Sequence, residues 1–536
     1  MRLVGPLVEQ VDSKLIASLI PIAQRLSDMD STIWGANTEA ANRLNWVNLP
    51  TASRDLLPQL DSLSAWARSN NLTQVVLCGM GGSSLAPEVI SSTYKKNLVV
   101  IDSTYPGQIL NSVPNTLKNS VIVIGSKSGT TIETISHLKL FVSLLENEGL
   151  AAKDHLVIIT DPGTELEKTS KISGYRVINA DPQVGGRFSA LSAFGLVPAA
   201  LLGIDISVLL DDAEELSNSL SKAESPAIVL AALLFSKTDQ IFNLCEEKSN
   251  CPGLSDWIEQ LVAESTGKNQ VGRLPVVVSK KLEAIGGFTI GFTSGDFDVI
   301  IEASLGEHFI LWEWATALLC YLLQVDPFNQ PNVAEAKEST GKILALMIDK
   351  QFKADGPILE TENYSLFSNM RIAHLSDFLT STPAYFSIMA YLGKGIDDEV
   401  KVLRQLISLK TGKPVTFGWG PRFLHSTGQL HKGGQMNGAF IQITAEMVDD
   451  LEIPGSGYKF SQLIMAQALG DGAALAERNL PVVRIHLKNT KTGNIIRVTN
   501  EQANQLGREW IFVSKDQWKN KNTAEVSHQE VTKKDK

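Results

Sequence analysis

Two loops in this chain hold more hydroxyl and backbone-amide donors than a turn requires. The first, Gly79-Met80-Gly81-Gly82-Ser83-Ser84-Leu85, follows the apolar run Val75–Gly79. Glycines between a strand and a helix let backbone amides approach an anion at the helix N-terminus. No Gly-Lys-Ser/Thr closes the loop, so it is not a Walker-type nucleotide loop. It half-matches the dinucleotide fingerprint, with Asp102 near the place of a ribose-binding acid, but Ser84 stands where the third glycine belongs. A plain structural turn is the alternative. The second loop, Ser126-Lys127-Ser128-Gly129-Thr130-Thr131-Ile132-Glu133-Thr134, opens an amphipathic stretch. A phosphate monoester carries about −1.5 to −2 charges and strong acceptor oxygens. Hydroxyls and free amides at a helix N-terminus satisfy such a group without several arginines. An ordinary N-cap cluster would draw on the same residue types. Two such loops after strands of one parallel sheet favour a ligand at the strands' carboxyl ends. The expected contacts are Gly82, Ser83, Ser126, Lys127, Ser128, Gly129, Thr130, Thr131 and Thr134.

With Gly185-Gly186-Arg187-Phe188-Ser189, these loops stand in the order and spacing of phosphoglucose isomerases, and the chain resembles that family. The match is strongest from about residue 70 to 345. The remainder most closely resembles the isomerase halves of bifunctional transaldolase–glucose-6-phosphate isomerases, without a transaldolase half. The resemblance implies two sugar-isomerase domains and interconversion of glucose 6-phosphate and fructose 6-phosphate. The sugar ring opens, and a base moves one proton between adjacent carbons through a cis-enediol. That chemistry needs a carboxylate base, a positive group near the enediolate oxygen and a donor–acceptor pair for ring opening, with no metal and no cofactor.

The resemblance assigns roles residue by residue. Glu264, in Gln260-Leu-Val-Ala-Glu264-Ser-Thr-Gly-Lys268, matches the family's base, and Gln260 shares its helix face at i, i+4 as a substrate contact. Ser255 or Asp256 could cap that helix. Glu338-Ser-Thr-Gly-Lys342 repeats the same five letters. However, Asp326–Pro331 and the Val333-Ala-Glu-Ala-Lys337 that follows resemble the segment ending in the catalytic lysine. Lys337 is therefore assigned to ring opening and Glu338 to the surface. Arg187 corresponds to the arginine beside the reacting oxygens. The histidine departs from the family order. Most members carry His-x-x-x-Gln between the base and the lysine, where this chain has only His308. The motif recurs downstream as His425-Ser-Thr-Gly-Gln429, which makes His425 the ring-opening histidine, with His431 a second candidate.

These groups require a scaffold of buried strands. Val75–Gly79, Leu98–Asp102, Val121–Ser126, Leu156–Asp161 and Arg176–Ala180 are apolar, β-branched runs separated by helical patterns, the signature of an α/β fold with doubly wound parallel sheets. A second series is Ile241–Cys245, Pro275–Ser279 and Val299–Ala303. A third is Phe386–Leu392, Val415–Trp419, Ala439–Thr444 and Val482–Leu487. We divide the chain into a helical lead-in (1–65), an N-terminal sugar-isomerase domain with the phosphate loop (66–220) and a second such domain carrying Glu264 and Lys337 (221–350). A C-terminal α/β extension with the His425 motif (351–515) completes the second domain, and a disordered tail (516–536) follows.

The 536 residues, 43% hydrophobic and 20% charged, exclude a disordered or disulfide-framework protein. A net charge of −10 argues against nucleic-acid binding, which needs clustered Lys and Arg. Cys78, Cys245, Cys251 and Cys320 show no CxxC spacing and read as buried reduced thiols. The eight histidines form no metal-ligand pattern. Phe309–Val325 comes nearest to a membrane span but contains Glu313, and the N-terminus lacks a signal-peptide pattern, so the cytoplasm is expected. The resemblance implies a homodimer. Rival readings are a dual phosphoglucose/phosphomannose isomerase, an amino-sugar isomerase, a non-catalytic sugar-phosphate sensor and a nucleotide-dependent dehydrogenase. An amino-sugar enzyme would bring a glutamine-hydrolysing domain, whose N-terminal Cys is absent.

Overall fold

The computed structural model describes residues 1–488 apart from 238, 239, 354 and 448, with backbone at Asn494–Ile495 and Val513–Ser514. The tail 516–536 lies outside the described residues. The first series of apolar runs forms an all-parallel five-stranded sheet in the order Leu98–Ile101, Gln74–Gly79, Ser120–Gly125, Leu156–Thr160, Arg176–Asn179. Val76, Leu77, Val121–Ile124 and Leu156–Ile159 are fully buried, because helices cover both faces. The strand order reverses between Gln74–Gly79 and Ser120–Gly125. A parallel sheet opens a crevice at such a point, above the carboxyl ends of the strands. The glycine turn and the hydroxyl loop leave these two strands, so topology brings both to one crevice.

The second sheet runs Arg2–Val4, Val299–Glu302, Phe288–Gly291, Ile241–Cys245, Leu274–Val278. Its four later strands are parallel, and Arg2–Val4 joins antiparallel to Val299–Glu302. The lead-in thus begins with a strand whose partner lies some 300 residues away, beyond the reach of local periodicity. The third sheet runs Leu359–Glu360, Tyr364–Ser368, Val482–Leu487, Gly438–Ala445, Tyr385–Ala390, Val415–Trp419. Its last four strands in this order are parallel, and the first two are antiparallel. It is a ladder of its own, yet its core is continuous with one face of the second sheet. Ile241, Leu274 and Val276 belong to the same apolar cluster as Phe386, Ile388, Ile441 and Ile485.

The helix Leu305–Leu323 begins in a capping box of Ser304 and Glu307 and packs inside the molecule against Leu254–Thr266, Ile206–Leu220 and Pro226–Ser236. No helix among the described residues is long and apolar enough to cross a membrane. The helix Leu254–Thr266 is not capped by Ser255 or Asp256. Glu246 accepts from the Gly253 and Ser255 amides at 3.1 and 2.9 Å, so a carboxylate from the preceding strand end supplies the cap. At the other end of this helix, a Cβ on Gly267 would lie 2.3 Å from the Leu430 Cα. That close approach is what lets the segment Gly428–Gly433 seat against the helix that carries Glu264.

Two glycines in the paired Glu-Ser-Thr-Gly-Lys motifs should therefore behave oppositely. Gly267→Ala should lower unfolding stability by about 1–3 kcal/mol through overpacking. Gly341→Ala, within helix Val333–Ile348 and with nothing within 4 Å of its Cβ position, should raise it by about 0.5–1 kcal/mol. Urea unfolding of both variants checks the pair, and equal effects would contradict the packing at Gly267.

Candidate active site

The crevice above the first sheet is closed into a cavity of about 580 Å³ by loops from all three parts of the chain. Glycines permit the convergence. A Cβ on Gly82 would stand 2.0 Å from the Gly186 carbonyl oxygen, so the glycine turn and the Gly185–Arg187 loop meet backbone to backbone. Gly81 has φ +55, and its Cβ would lie 2.8 Å from both Gln260 Nε2 and the His425 carbonyl oxygen.

Of the expected phosphate contacts, Gly82, Ser83, Lys127, Ser128 and Thr131 line the cavity. Thr131 is the N-cap of helix Ile132–Asn147, and its side chain caps no amide of the first turn. Those amides are the kind of donors an anion takes. Ser126 is buried behind the wall and donates to Thr131 Oγ1 at 3.0 Å. Thr130 is exposed and shares a hydrogen bond with Ser128. Gly129 and the buried Thr134 do not line the cavity. The Lys127 ammonium is engaged by Asp161 at 2.6 and 2.9 Å and donates to the Asp181 carbonyl at 3.2 Å. Burial pushes its pKa down, and burial pushes that of Asp161 up.

The four residues assigned to catalysis all line the same cavity. Arg187 Nε lies 3.3 Å from Glu264 Oε2, and both side chains are nearly buried. The rest of the guanidinium is held by the Pro327 and Asn329 carbonyls at 3.2 and 3.1 Å and by Gln330 Oε1 at 2.7 Å. Gln260 Nε2 donates to Glu264 Oε2 at 3.2 Å and to the His425 carbonyl at 2.7 Å. Lys268 donates to the Asp326 carbonyl, steadying the loop that holds Arg187. Burial, reinforced by the neighbouring Arg187 charge, pulls its pKa down to about 7. Lys337 projects from the helix Val333–Ile348 with its side chain exposed. Glu338, one residue on, is exposed and paired with Lys342 at 2.7 Å, away from the cavity.

The three histidine candidates separate cleanly. His425 lines the cavity, and its Nε2 lies 3.1 Å from Glu133 Oε1. His431 is buried between Tyr385 Oη at 2.9 Å and Ser387 Oγ at 3.3 Å, with its pKa lowered to about 3 by burial. His308 lies in the core, lowered to about 3 by burial.

Several groups at the site were not singled out from the sequence. Glu133 is buried in the first turn after the hydroxyl loop and also accepts from Gln467 Nε2 at 2.7 Å. Burial alone would raise its pKa, but the charge and hydrogen bond of His425, with lesser help from Lys337, outweigh it and hold the carboxyl below its ordinary value. A carboxylate beside an anion site is out of place unless it serves another residue, and that was the available signal. Gln429, the glutamine of the downstream motif, bridges two elements, accepting from Asn332 N at 3.0 Å and donating to the Gly267 carbonyl at 2.9 Å. Glu39 and Arg43, from the lead-in, reach the cavity rim. Asp102 does not take the ribose-binding role of a dinucleotide site. It is buried against Arg422 at 3.1 Å. Among the described residues no cluster could hold a metal ion.

Residues 52–283 match the family model of phosphoglucose isomerase. A glucose-6-phosphate isomerase of Mycoplasmopsis pulmonis is 27% identical over 413 residues, covering 60% of this chain and 96% of the relative. A glucose-6-phosphate isomerase of Methanocaldococcus jannaschii is 30% identical over 257 residues, covering 44% and 64%. The crystal structure of a glucose-6-phosphate isomerase from Chlamydia trachomatis shares the fold at TM-score 0.51 and 18% identity, over 63% of this chain and 86% of that one. The matched segment holds the glycine turn, the hydroxyl loop, Arg187 and Glu264, so the similarity to phosphoglucose isomerases falls on the part of the chain that supplies most of the cavity wall.

Proposed function

We propose that this chain interconverts glucose 6-phosphate and fructose 6-phosphate by ring opening and a cis-enediol proton transfer. The observation that carries the reading is a single cavity uniting a nearly buried Glu264–Arg187 pair with an uncapped, hydroxyl-rich helix N-terminus. The phosphate sits at Ser128, Thr131 and the first-turn amides of Ile132–Asn147, where charge and donors match it. Ser126 acts behind Thr131, and Lys127 shapes the loop through Asp161. The sugar carbons then lie toward Glu264. Its carboxylate takes the proton from C2 of the open aldose and returns it to C1. Arg187 is fixed by carbonyls on its far side and stabilises the enediolate oxygen as charge develops. His425, its imidazole paired with Glu133, and Lys337 exchange the ring proton that opens the hexose.

Every group in this scheme belongs to one chain. The homodimer that the family resemblance implies is part of the proposal as an assembly, not as a source of these side chains. Cytoplasmic residence is also part of it, supported by four free, buried cysteines.

The base assignment is checked by steady-state kinetics. Glu264→Gln should lower turnover by about 10²–10⁴ while substrate still binds. Glu338→Gln should match the parent, and equal mild effects would remove Glu264 from the role. Ser126→Ala with Thr131→Ala should act chiefly on KM, raising it about tenfold or more, because the phosphate is held alike in ground and transition states. Free glucose turned over as well as its phosphate would contradict the phosphate site. His425→Ala should slow cyclic glucose 6-phosphate strongly and an aldose phosphate too short to cyclise much less. Loss with His431→Ala instead would overturn that assignment.

A further inference from the structure

His425 closes a single 3₁₀ turn, Arg422–His425, that has no longer element of its own to hold the ring in place. The turn is anchored at its first residue. Arg422 is buried, and three carboxylates from three other elements surround its guanidinium. Nη1 lies 3.0 Å from Glu88 Oε2 and 3.1 Å from Asp102 Oδ2, and Nη2 lies 3.5 Å from Asp256 Oδ2. Glu88 stands in helix Leu85–Thr93, directly after the glycine turn, and Asp102 follows the strand Leu98–Ile101. Asp256 stands in the first turn of the helix that ends near Glu264. Lys394, from the C-terminal part, pairs with the other oxygen of Glu88. Glu259, one turn along, has its pKa pushed up by burial first and by the Asp256 charge second.

Burying Arg422 and Asp102, with Glu88 half-buried and Asp256 at the exposed edge, is a costly way to dock two surfaces, since apolar packing of the same volume avoids the desolvation. What the ionic arrangement adds is orientation. A guanidinium is a rigid planar fork, and here its two outer nitrogens face different carboxylates, a geometry that one ammonium point charge does not reproduce. The anchored turn is short, so a shift at Arg422 carries directly to His425, whose carbonyl is already pinned by Gln260 and whose ring meets Glu133 at 3.1 Å.

We propose that Arg422 is a positioning residue for ring opening: by engaging Glu88, Asp102 and Asp256 together, it sets the placement of the Arg422–His425 turn and so the reach of the His425 ring into the cavity. The proposal rests on His425 as a ring-opening group.

The test compares Arg422→Lys with the parent on cyclic glucose 6-phosphate and on a four-carbon aldose phosphate that stays open. Turnover of the cyclic substrate should fall about tenfold or more, in line with the cost of misplacing a catalytic group. Turnover of the open substrate should fall less than about threefold, with both KM values nearly unchanged. Parallel losses on both substrates would show a merely structural role and overturn the proposal, as would full activity on the cyclic one. Asp102→Asn and Glu88→Gln leave Arg422 in place and should shift the same ratio in the same direction, so they carry the test if Arg422→Lys does not fold. His425→Ala, run beside them, separates the two levels. If it shows no preference for the cyclic substrate, the ring-opening role of His425 fails and the positioning role with it. If it does show that preference and the Arg422 and carboxylate variants do not, the positioning role alone fails.

Discussion

A carboxylate taken out of water must find a counter-charge or a full set of donors, or it costs several kcal/mol. Glu133 is buried at the mouth of the first sheet, and both of its partners, His425 and Gln467, come from the C-terminal part some 300 residues away. The segment around the first sheet is therefore left with an unsatisfied group unless the C-terminal part docks on it. The same contact brings an imidazole to the cavity. Stability and chemistry meet in one pair of side chains.

The remaining groups are tied into this junction by amide side chains. Gln260 joins Glu264 to the backbone of His425. Gln429, four residues beyond His425, joins the end of the helix carrying Glu264 to the residue before the helix carrying Lys337. Arg478 reaches Glu335 on that second helix while donating to the Lys432 carbonyl. Glu264, His425 and the helix carrying Lys337 thus share a hydrogen-bonded frame. A His-x-x-x-Gln motif far downstream in the chain reaches the cavity in this way, because the frame fixes position in space and not order along the chain.

The strands of the first sheet were legible because both faces are buried, which writes an unbroken apolar run into each. The distinction between Glu264 and Glu338 was legible too, since the residues around each repeat differ, and burial follows: one lies in the cavity, the other on the surface beside Lys342. Other features depend on contacts that no local pattern encodes. Glu133 stands where acids are ordinary, in a first helical turn, and only its partners across the fold, His425 and Gln467, explain its burial. Asp102 looked like a ribose ligand, but Arg422 lies 320 residues downstream of it. Glu246 caps a helix it does not belong to, and Arg2–Val4 becomes a strand only because Val299–Glu302 offers an edge. Among the hydroxyls, composition could not separate those facing the cavity, Ser128 and Thr131, from those behind or beside it, Ser126, Thr130 and Thr134.

The central claim is that a carboxylate on this chain moves a carbon-bound proton through an enediol, without any other reactant. Running the reaction from fructose 6-phosphate in deuterated water and reading the product by NMR tests it most directly. A proton held on Glu264 at the cavity can exchange with solvent before it returns to carbon. The account therefore predicts deuterium at C2 of the glucose 6-phosphate formed and at no other carbon of it, and loss of that label with Glu264→Gln. Deuterium that enters C2 as fast with Glu264→Gln as with the parent would mean that another group carries the proton, and would contradict the account.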